Sequence, residues 1–141
     1  MLYHQRTRLP DAEERTLGAA HVPLDDLLAR CDYLIPQLPA GPTTRHLIDR
    51  ARLSRLKPGA IIVNVSRPDV IERAALIEFI TSGHLGGVAL DPPYETPMRE
   101  DDALLAHPNV VLSPQLAGSP RANALRDFED LVIGVAKEIA S

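Results

Sequence analysis

Apolar positions recur along this chain in two rhythms. Short runs rich in β-branched residues alternate with stretches whose apolar residues fall three and four apart. The clearest example runs from Lys57 to Asp91. Lys57-Pro58-Gly59 is a turn, and Ala60-Ile61-Ile62-Val63 reads as a buried strand followed by Asn64, Val65, Ser66 and Arg67. A helix is predicted from near Glu72 to Ser82-Gly83, with Leu76, Phe79 and Ile80 as its apolar stripe. Gly87-Val88-Ala89-Leu90 then reads as a second strand, ending on Asp91. The unit is a strand, a crossover helix and a parallel strand. Both strands deliver polar residues just past their carboxyl ends, the edge at which open α/β sheets bind ligands.

The flanking segments extend the same pattern. Leu2-Tyr3-His4 reads as the tail of a strand, Pro10-Asp11 opens a short helix through Leu17 closed by Gly18, and Ala20-His21-Val22 is a brief strand. Leu24 to Ala29 forms a helix with Leu24, Leu27 and Leu28 on one face. Asp32 to Leu38 reads as a strand, with Pro36 an uncomfortable member because proline removes a ladder donor. Short helical turns follow over Leu47–Leu56, with Asp49 a suitable N-cap. The proline-rich stretch from Pro92 to His107 is a long loop with a helical turn near Leu104. Val110-Val111-Leu112 is a last strand. From Pro120 to Ala140, Leu125, Phe128, Leu131, Val132, Val135 and Ile139 recur at helical spacing. Strands alternating with helices predict an α/β fold, a mostly parallel sheet with helices on both faces.

Composition narrows the class. The 141 residues fit one domain, with 45% hydrophobic and 24% charged residues. The net charge of −4, with both signs mixed, argues against a nucleic-acid footprint. One cysteine, Cys31, excludes an internal disulfide and a cysteine metal cluster, and the five histidines lack metal-site spacing, so no metal is expected. No apolar run approaches a membrane span, and the first residues do not read as a signal peptide. A cytoplasmic location is the expectation.

Several motifs occur in order: Leu-Leu-x-x-Cys-Asp from Leu27, Leu-Pro-x-x-Pro-x-Thr from Leu38, Lys-Pro-Gly-Ala-Ile-Ile-Val-Asn-x-x-Arg from Lys57, Ser-Gly-His-Leu-Gly-Gly-Val-Ala-Leu-Asp from Ser82 and His-Pro-Asn-Val-Val-Leu-Ser-Pro from His107. Together they resemble the NAD-binding domain of the D-isomer-specific 2-hydroxyacid dehydrogenases. The resemblance covers nearly the whole chain and implies a Rossmann-type fold. It also implies that residues 1–141 are a partial domain. The chain starts where the second Rossmann strand would end, and no G-x-G-x-x-G occurs in it. The first strand, the glycine-rich loop and the substrate domain are therefore expected to be missing. In the strand order 3-2-1-4-5-6 the first strand is central, so its loss predicts a gap between the second and fourth strands.

The resemblance also assigns site residues. Arg67 stands where the family places its catalytic arginine, whose guanidinium can bind a substrate carboxylate in two parallel bonds. Pro68 and Asp69 replace the glycines expected after it. Asp91 stands where an aspartate contacts the nicotinamide side of the cofactor. The family's proton relay, a histidine oriented by a glutamate, is altered: Gln115 occupies the histidine position and Thr96 the glutamate position. An amide can hydrogen-bond a carbonyl but cannot take up the proton. Leu38 and Pro39 would wall the adenine side, Val65 and Ser66 would lie near the nicotinamide amide, and Leu116, Ala117 and Gly118 would line the end of the pocket. Asn64 is expected to hold its loop rather than touch ligand.

Gln5 stands where NAD-using relatives carry an acid, and Arg6 and Arg8 follow. That suits a 2′-phosphate, so the cofactor expectation is NAD(P) leaning to NADP; an ordinary basic surface turn is the competing reading. The implied reaction for a complete relative is hydride transfer between NAD(P) and a small 2-hydroxy or 2-oxo acid. With both relay residues changed, the chain is expected to be inactive alone. The partner expected is a second copy, as a homodimer, or a chain supplying the missing half. The rival expectation is a non-catalytic dimerisation or protein-binding module on the same fold.

Overall fold

The structure, a computed structural model, describes residues 1–115. The strands are β1 (Leu2–Tyr3), β2 (Ala20–His21), β3 (Tyr33–Leu34), β4 (Ala60–Asn64), β5 (Leu85–Leu90) and β6 (Val110–Leu112). The helices are α1 (Asp11–Leu17), α2 (Leu24–Arg30), α3 (Arg50–Leu53), α4 (Arg73–Thr81) and α5 (Ala103–Ala106). All strand pairings are parallel, as the alternation of strands and helices predicts.

The strands form two separate sheets. β1 pairs with β2, and β3-β4-β5-β6 make a four-stranded sheet in sequence order. No described strand lies between the two sheets. This division among the described residues is compatible with the gap expected between the second and fourth strands. The division extends to packing. Among the described residues the apolar core begins at Leu24, and no side chain of β1, α1 or β2 enters it. That first unit is tied internally instead: the Tyr3 hydroxyl donates to Glu14 Oε1 at 2.6 Å and accepts from the Leu9 N–H at 2.8 Å.

Burial alternates along β4, where Ala60, Ile62 and Asn64 are buried and Ile61 and Val63 are partly exposed. Leu34, Ile62 and Val88 share one face by register, and they join Leu28, Leu53, Leu76 and Leu104 in one core. On the opposite face, Tyr33 and Val111 are each 65% exposed and Ile35 is 56% exposed, so this apolar surface is open among the described residues.

Local chemistry explains the boundaries. Gly18 and Gly83 take positive φ (59° and 76°) as the chain leaves α1 and α4. Asp49 caps α3, accepting from the Arg52 N–H at 2.9 Å. Asp102 caps α5 in the same way and pairs with Arg73. The pairing of β4 with β5 shifts by one residue beside Gly86, whose backbone lies so close to Gly59 that an added Cβ would sit 2.4 Å from the Gly59 carbonyl oxygen.

One expectation changes. The strand expected over Asp32–Leu38 is only Tyr33–Leu34, because Pro36 has no N–H to continue the ladder. Pro68–Val70, to which the sequence assigned no element, is a 3₁₀ turn, with Pro68 fixing φ at its first position. The helix expected over Pro120–Ala140 lies outside the described residues.

Candidate functional site

The carboxyl ends of β3, β4, β5 and β6 bring four predicted segments to one edge of the larger sheet. In spatial order these are Leu38-Pro39, Val65-Ser66-Arg67, Asp91 and Gln115. A run of hydrogen bonds joins them. Ser66 Oγ donates to the Pro36 carbonyl at 3.1 Å, tying the loop after β4 to the segment after β3. Asn64 is 1% exposed. Its amide nitrogen donates to the Arg67 carbonyl at 2.8 Å, its Oδ1 accepts from the Ser66 N–H at 3.0 Å, and the single Ser66 hydroxyl proton is shared between this Oδ1, at 3.0 Å, and the Pro36 carbonyl. Asn64 therefore holds the loop, as expected. Its own carbonyl accepts from the Asp91 N–H at 2.9 Å, and Ser113 Oγ donates to Asp91 Oδ1 at 2.8 Å. Arg67 and Asp91 thus lie at neighbouring strand ends linked through Asn64.

The two charges have different surroundings. Asp91 is buried, at 7% exposure, and held by Ser113. Arg67 is exposed, and among the described residues its guanidinium has no hydrogen-bond or ion-pair partner. It lines a cleft of about 410 Å³ with Gly41, Thr44, Arg45 and Asp69. The walls of this cleft are fixed by backbone bonds: the His46 N–H donates to the Asp69 carbonyl at 2.7 Å, and the Ile48 N–H to the Val70 carbonyl at 2.9 Å. Thr44 Oγ1 donates to the Pro39 carbonyl at 2.7 Å.

The two residues expected at the relay positions, Thr96 and Gln115, are less integrated. Thr96 is exposed in the proline-rich loop. Gln115 is exposed, in the left-handed region at φ 61°, with its N–H donating to the Ser113 carbonyl at 3.0 Å. No hydrogen bond joins the Thr96 and Gln115 side chains. Tyr94, in the same loop, donates to the Ile71 carbonyl at 2.8 Å, and burial pushes its phenol pKa up. Leu116, Ala117 and Gly118 lie outside the described residues.

The basic turn after β1 is only partly available to a ligand. Gln5 Nε2 donates to the Thr7 carbonyl at 2.6 Å. Arg8 makes a two-pronged pair with Glu14, at 2.9 and 2.6 Å. Arg8, together with the Tyr3 hydroxyl, holds the Glu14 carboxyl down at about 2. Arg6 has no side-chain partner among the described residues. A second concavity, about 390 Å³, lies beside this turn, but the Arg8 and Glu14 that line it already satisfy each other.

The remaining histidines and Cys31 have structural roles. His4 and His21 stack, His84 contacts the Leu56 carbonyl, and His107 Nδ1 accepts from the Asn109 N–H. Burial pushes the Cys31 thiol up, away from reactivity. No cluster of metal ligands occurs among the described residues.

Sequence reasoning missed Ser113 and Arg45. Ser113 follows β6 directly, so its place at the ligand edge was a usable signal. Arg45 gave none, because its place in the same cleft as Arg67 depends on how two loops meet.

Residues 1–117 match the family model described as D-isomer specific 2-hydroxyacid dehydrogenase, NAD binding domain. The glyoxylate reductase of Thermococcus onnurineus is 37% identical over 132 residues, which cover 94% of this chain and 39% of that protein. The apo D-mandelate dehydrogenase of Rhodotorula graminis superposes with a TM-score of 0.81 at 32% identity, covering 92% of this chain and 37% of that one. A D-isomer specific 2-hydroxyacid dehydrogenase from Xanthobacter autotrophicus, solved with NADPH and MES, gives 0.74 at 32% identity, covering 82% of this chain and 36% of its own. The chain therefore spans under two fifths of each of these relatives. With the motifs in order, the parallel sheet and the strand-end constellation already in hand, these likenesses identify the chain as a member of the D-isomer specific 2-hydroxyacid dehydrogenase family, within its NAD-binding domain.

Proposed function

We propose that this chain is a partial NAD(P)-binding domain serving hydride transfer between a nicotinamide cofactor and a small 2-hydroxy or 2-oxo acid. The observation that carries this reading is the hydrogen-bonded edge, where a guanidinium without a partner among the described residues and a buried carboxylate stand at adjacent strand ends. The residues fit one part of the cofactor. Asp91, with Val65 and Ser66, suits the nicotinamide side, and Leu38 with Pro39 suits the adenine side. The glycine-rich cradle for the pyrophosphate is absent from the sequence. A bound nicotinamide would supply the hydride. Arg67 would fix the substrate carboxylate and so turn the carbonyl to a defined face. Gln115 could donate a hydrogen bond to that carbonyl but has no proton to give up. With Thr96 in the other relay position, the chain alone turns over very slowly or not at all. The nucleotide preference leans to NADP through Arg6, the arginine of the turn after β1 that has no side-chain partner among the described residues.

The test mixes the chain with NADPH and glyoxylate or hydroxypyruvate and follows nicotinamide absorbance. Slow or absent turnover is expected, alongside detectable nucleotide binding. Ordinary dehydrogenase rates would overturn the reading of Gln115 and Thr96, and absent nucleotide binding would overturn the reading as a cofactor domain.

A second reading rests on the open sheet face, where Tyr33, Ile35 and Val111 are exposed. On this reading the chain is a non-catalytic dimerisation or protein-binding module. A stable dimer by light scattering, with no affinity for nucleotide, would favour it. A homodimer, or a second chain filling the gap between the sheets, is also compatible with the cofactor reading.

A further inference from the structure

The cleft beside Arg67 contains a second cation that the family reading does not use. Arg45, from the loop before α3, lines the same 410 Å³ space. Among the described residues neither Arg45 nor Arg67 has an ion-pair or side-chain hydrogen-bond partner. Two unpaired guanidinia in one cleft repel each other, and a ligand carrying two negative groups relieves that repulsion. The loops bearing them are not loosely hung. The backbone bonds from His46 to Asp69 and from Ile48 to Val70 clamp the two segments together, so the backbones that carry the two arginines are held side by side. Thr44, next to Arg45, is anchored by its hydroxyl, which donates to the Pro39 carbonyl at 2.7 Å.

Asp69 bounds what the cleft accepts. It also lines the space, leaving two cationic residues against one acidic residue. A third acidic group on the ligand would meet it with repulsion, whereas a ligand hydroxyl could donate to it. Gly41 and Pro42 complete the wall with little bulk and no competing charge.

We infer that Arg45 is a specificity-determining residue, and that the cleft selects a 2-hydroxy or 2-oxo acid with a second carboxylate over a monocarboxylic one. Arg67 takes the carboxylate beside the reacting carbon, Arg45 takes the distal carboxylate, and Asp69 accepts from the hydroxyl. The inference rests on the reading of Arg67 as the carboxylate clamp, and the test separates the two.

The experiment titrates the full chain with D-lactate and with D-malate, which adds one carboxylate to the same hydroxy acid. Binding is followed by amide NMR at Thr44, Arg45, Ser66 and Asp69. D-malate is expected to bind about tenfold more tightly than D-lactate, the effect of one added charge-assisted contact. Arg45→Gln is expected to erase that ratio, while Arg67→Gln weakens both acids. Equal affinity for both acids, or a ratio that survives Arg45→Gln, would overturn the role of Arg45 and leave the clamp standing. No response to either acid, or affinities indifferent to Arg67→Gln, would overturn the clamp itself and this inference with it. Circular dichroism of each variant confirms that the fold is retained. If Arg45→Gln fails to fold, Arg45→Lys serves instead, with a reduced ratio expected and an unchanged one counting against the proposal.

Discussion

Asn64 is the residue whose removal tests the site's construction most sharply. It is 1% exposed and makes three side-chain hydrogen bonds, one to the Arg67 carbonyl and two from Ser66, whose hydroxyl proton is shared with the Pro36 carbonyl. A neutral hydrogen bond nets roughly 1 kcal/mol, and a buried group stripped of its partner costs about 1–3 kcal/mol. Several of these partners lie in a part-buried loop and can be rehydrated as it opens. Asn64→Ala is therefore expected to cost about 2–4 kcal/mol, toward the lower sum of those terms. The assay is urea unfolding followed by far-ultraviolet circular dichroism, since the chain has no tryptophan. The loss should be accompanied by amide shifts at Ser66 and Arg67 and weaker carboxylate binding, although Asn64 touches no ligand. Asn64→Asp isolates the donor: a carboxylate keeps the acceptor for Ser66 but turns a negative oxygen on the Arg67 carbonyl. Its buried acid should titrate above its unfolded value, so this variant should lose stability as pH rises through roughly 4 and beyond. A loss for Asn64→Ala below about 0.5 kcal/mol, the size of an ordinary surface change, would refute the claim that Asn64 organises this edge.

Other outcomes follow from single contacts. Arg8 and Tyr3 depress the Glu14 carboxyl to about 2, so the stabilisation it supplies is present above the ordinary glutamate range and is lost as pH falls through that value. Glu14→Gln should flatten the acid limb of the stability profile, and a carboxyl NMR titration of Glu14 near the ordinary glutamate value would contradict the pairing. Gly86→Ala drives a Cβ to 2.4 Å from the Gly59 carbonyl, and should cost about 1–3 kcal/mol in urea unfolding. Arg6→Gln should lower the NADPH-to-NADH affinity ratio, whereas Arg8→Gln should chiefly lower stability, because Arg8 is already paired with Glu14. Fluorescence titration with both nucleotides separates these two arginines.

Much of the fold was legible because local signals agreed. The β-branched run Ala60–Val63 became β4 with strict alternation of burial, and Glu72 and Gly83 bracketed α4 as their positions suggested. The divided sheet of the described residues is compatible with the gap expected from the lack of a glycine-rich motif in the sequence. What escaped was tertiary. Pro36 was flagged as an awkward strand residue, but only the ladder shows that pairing stops at Leu34. Arg8 looked free beside Arg6 because its partner Glu14 sits on a helix whose approach no local pattern encodes. The openness of the face bearing Tyr33 and Val111 was equally hidden, since β-branched and aromatic residues read as buried wherever they occur in a strand.

The central claim is that Arg67 and Asp91 face one ligand crevice at adjacent strand ends. Its most direct measurement is amide NMR of the chain titrated with NADPH together with oxamate, a carboxylate that cannot be reduced. The account predicts shifts concentrated at Val65, Ser66, Arg67, Asp91 and Ser113. Shifts confined instead to the opposite face of the sheet, at Tyr33, Ile61 and Val111, would contradict it.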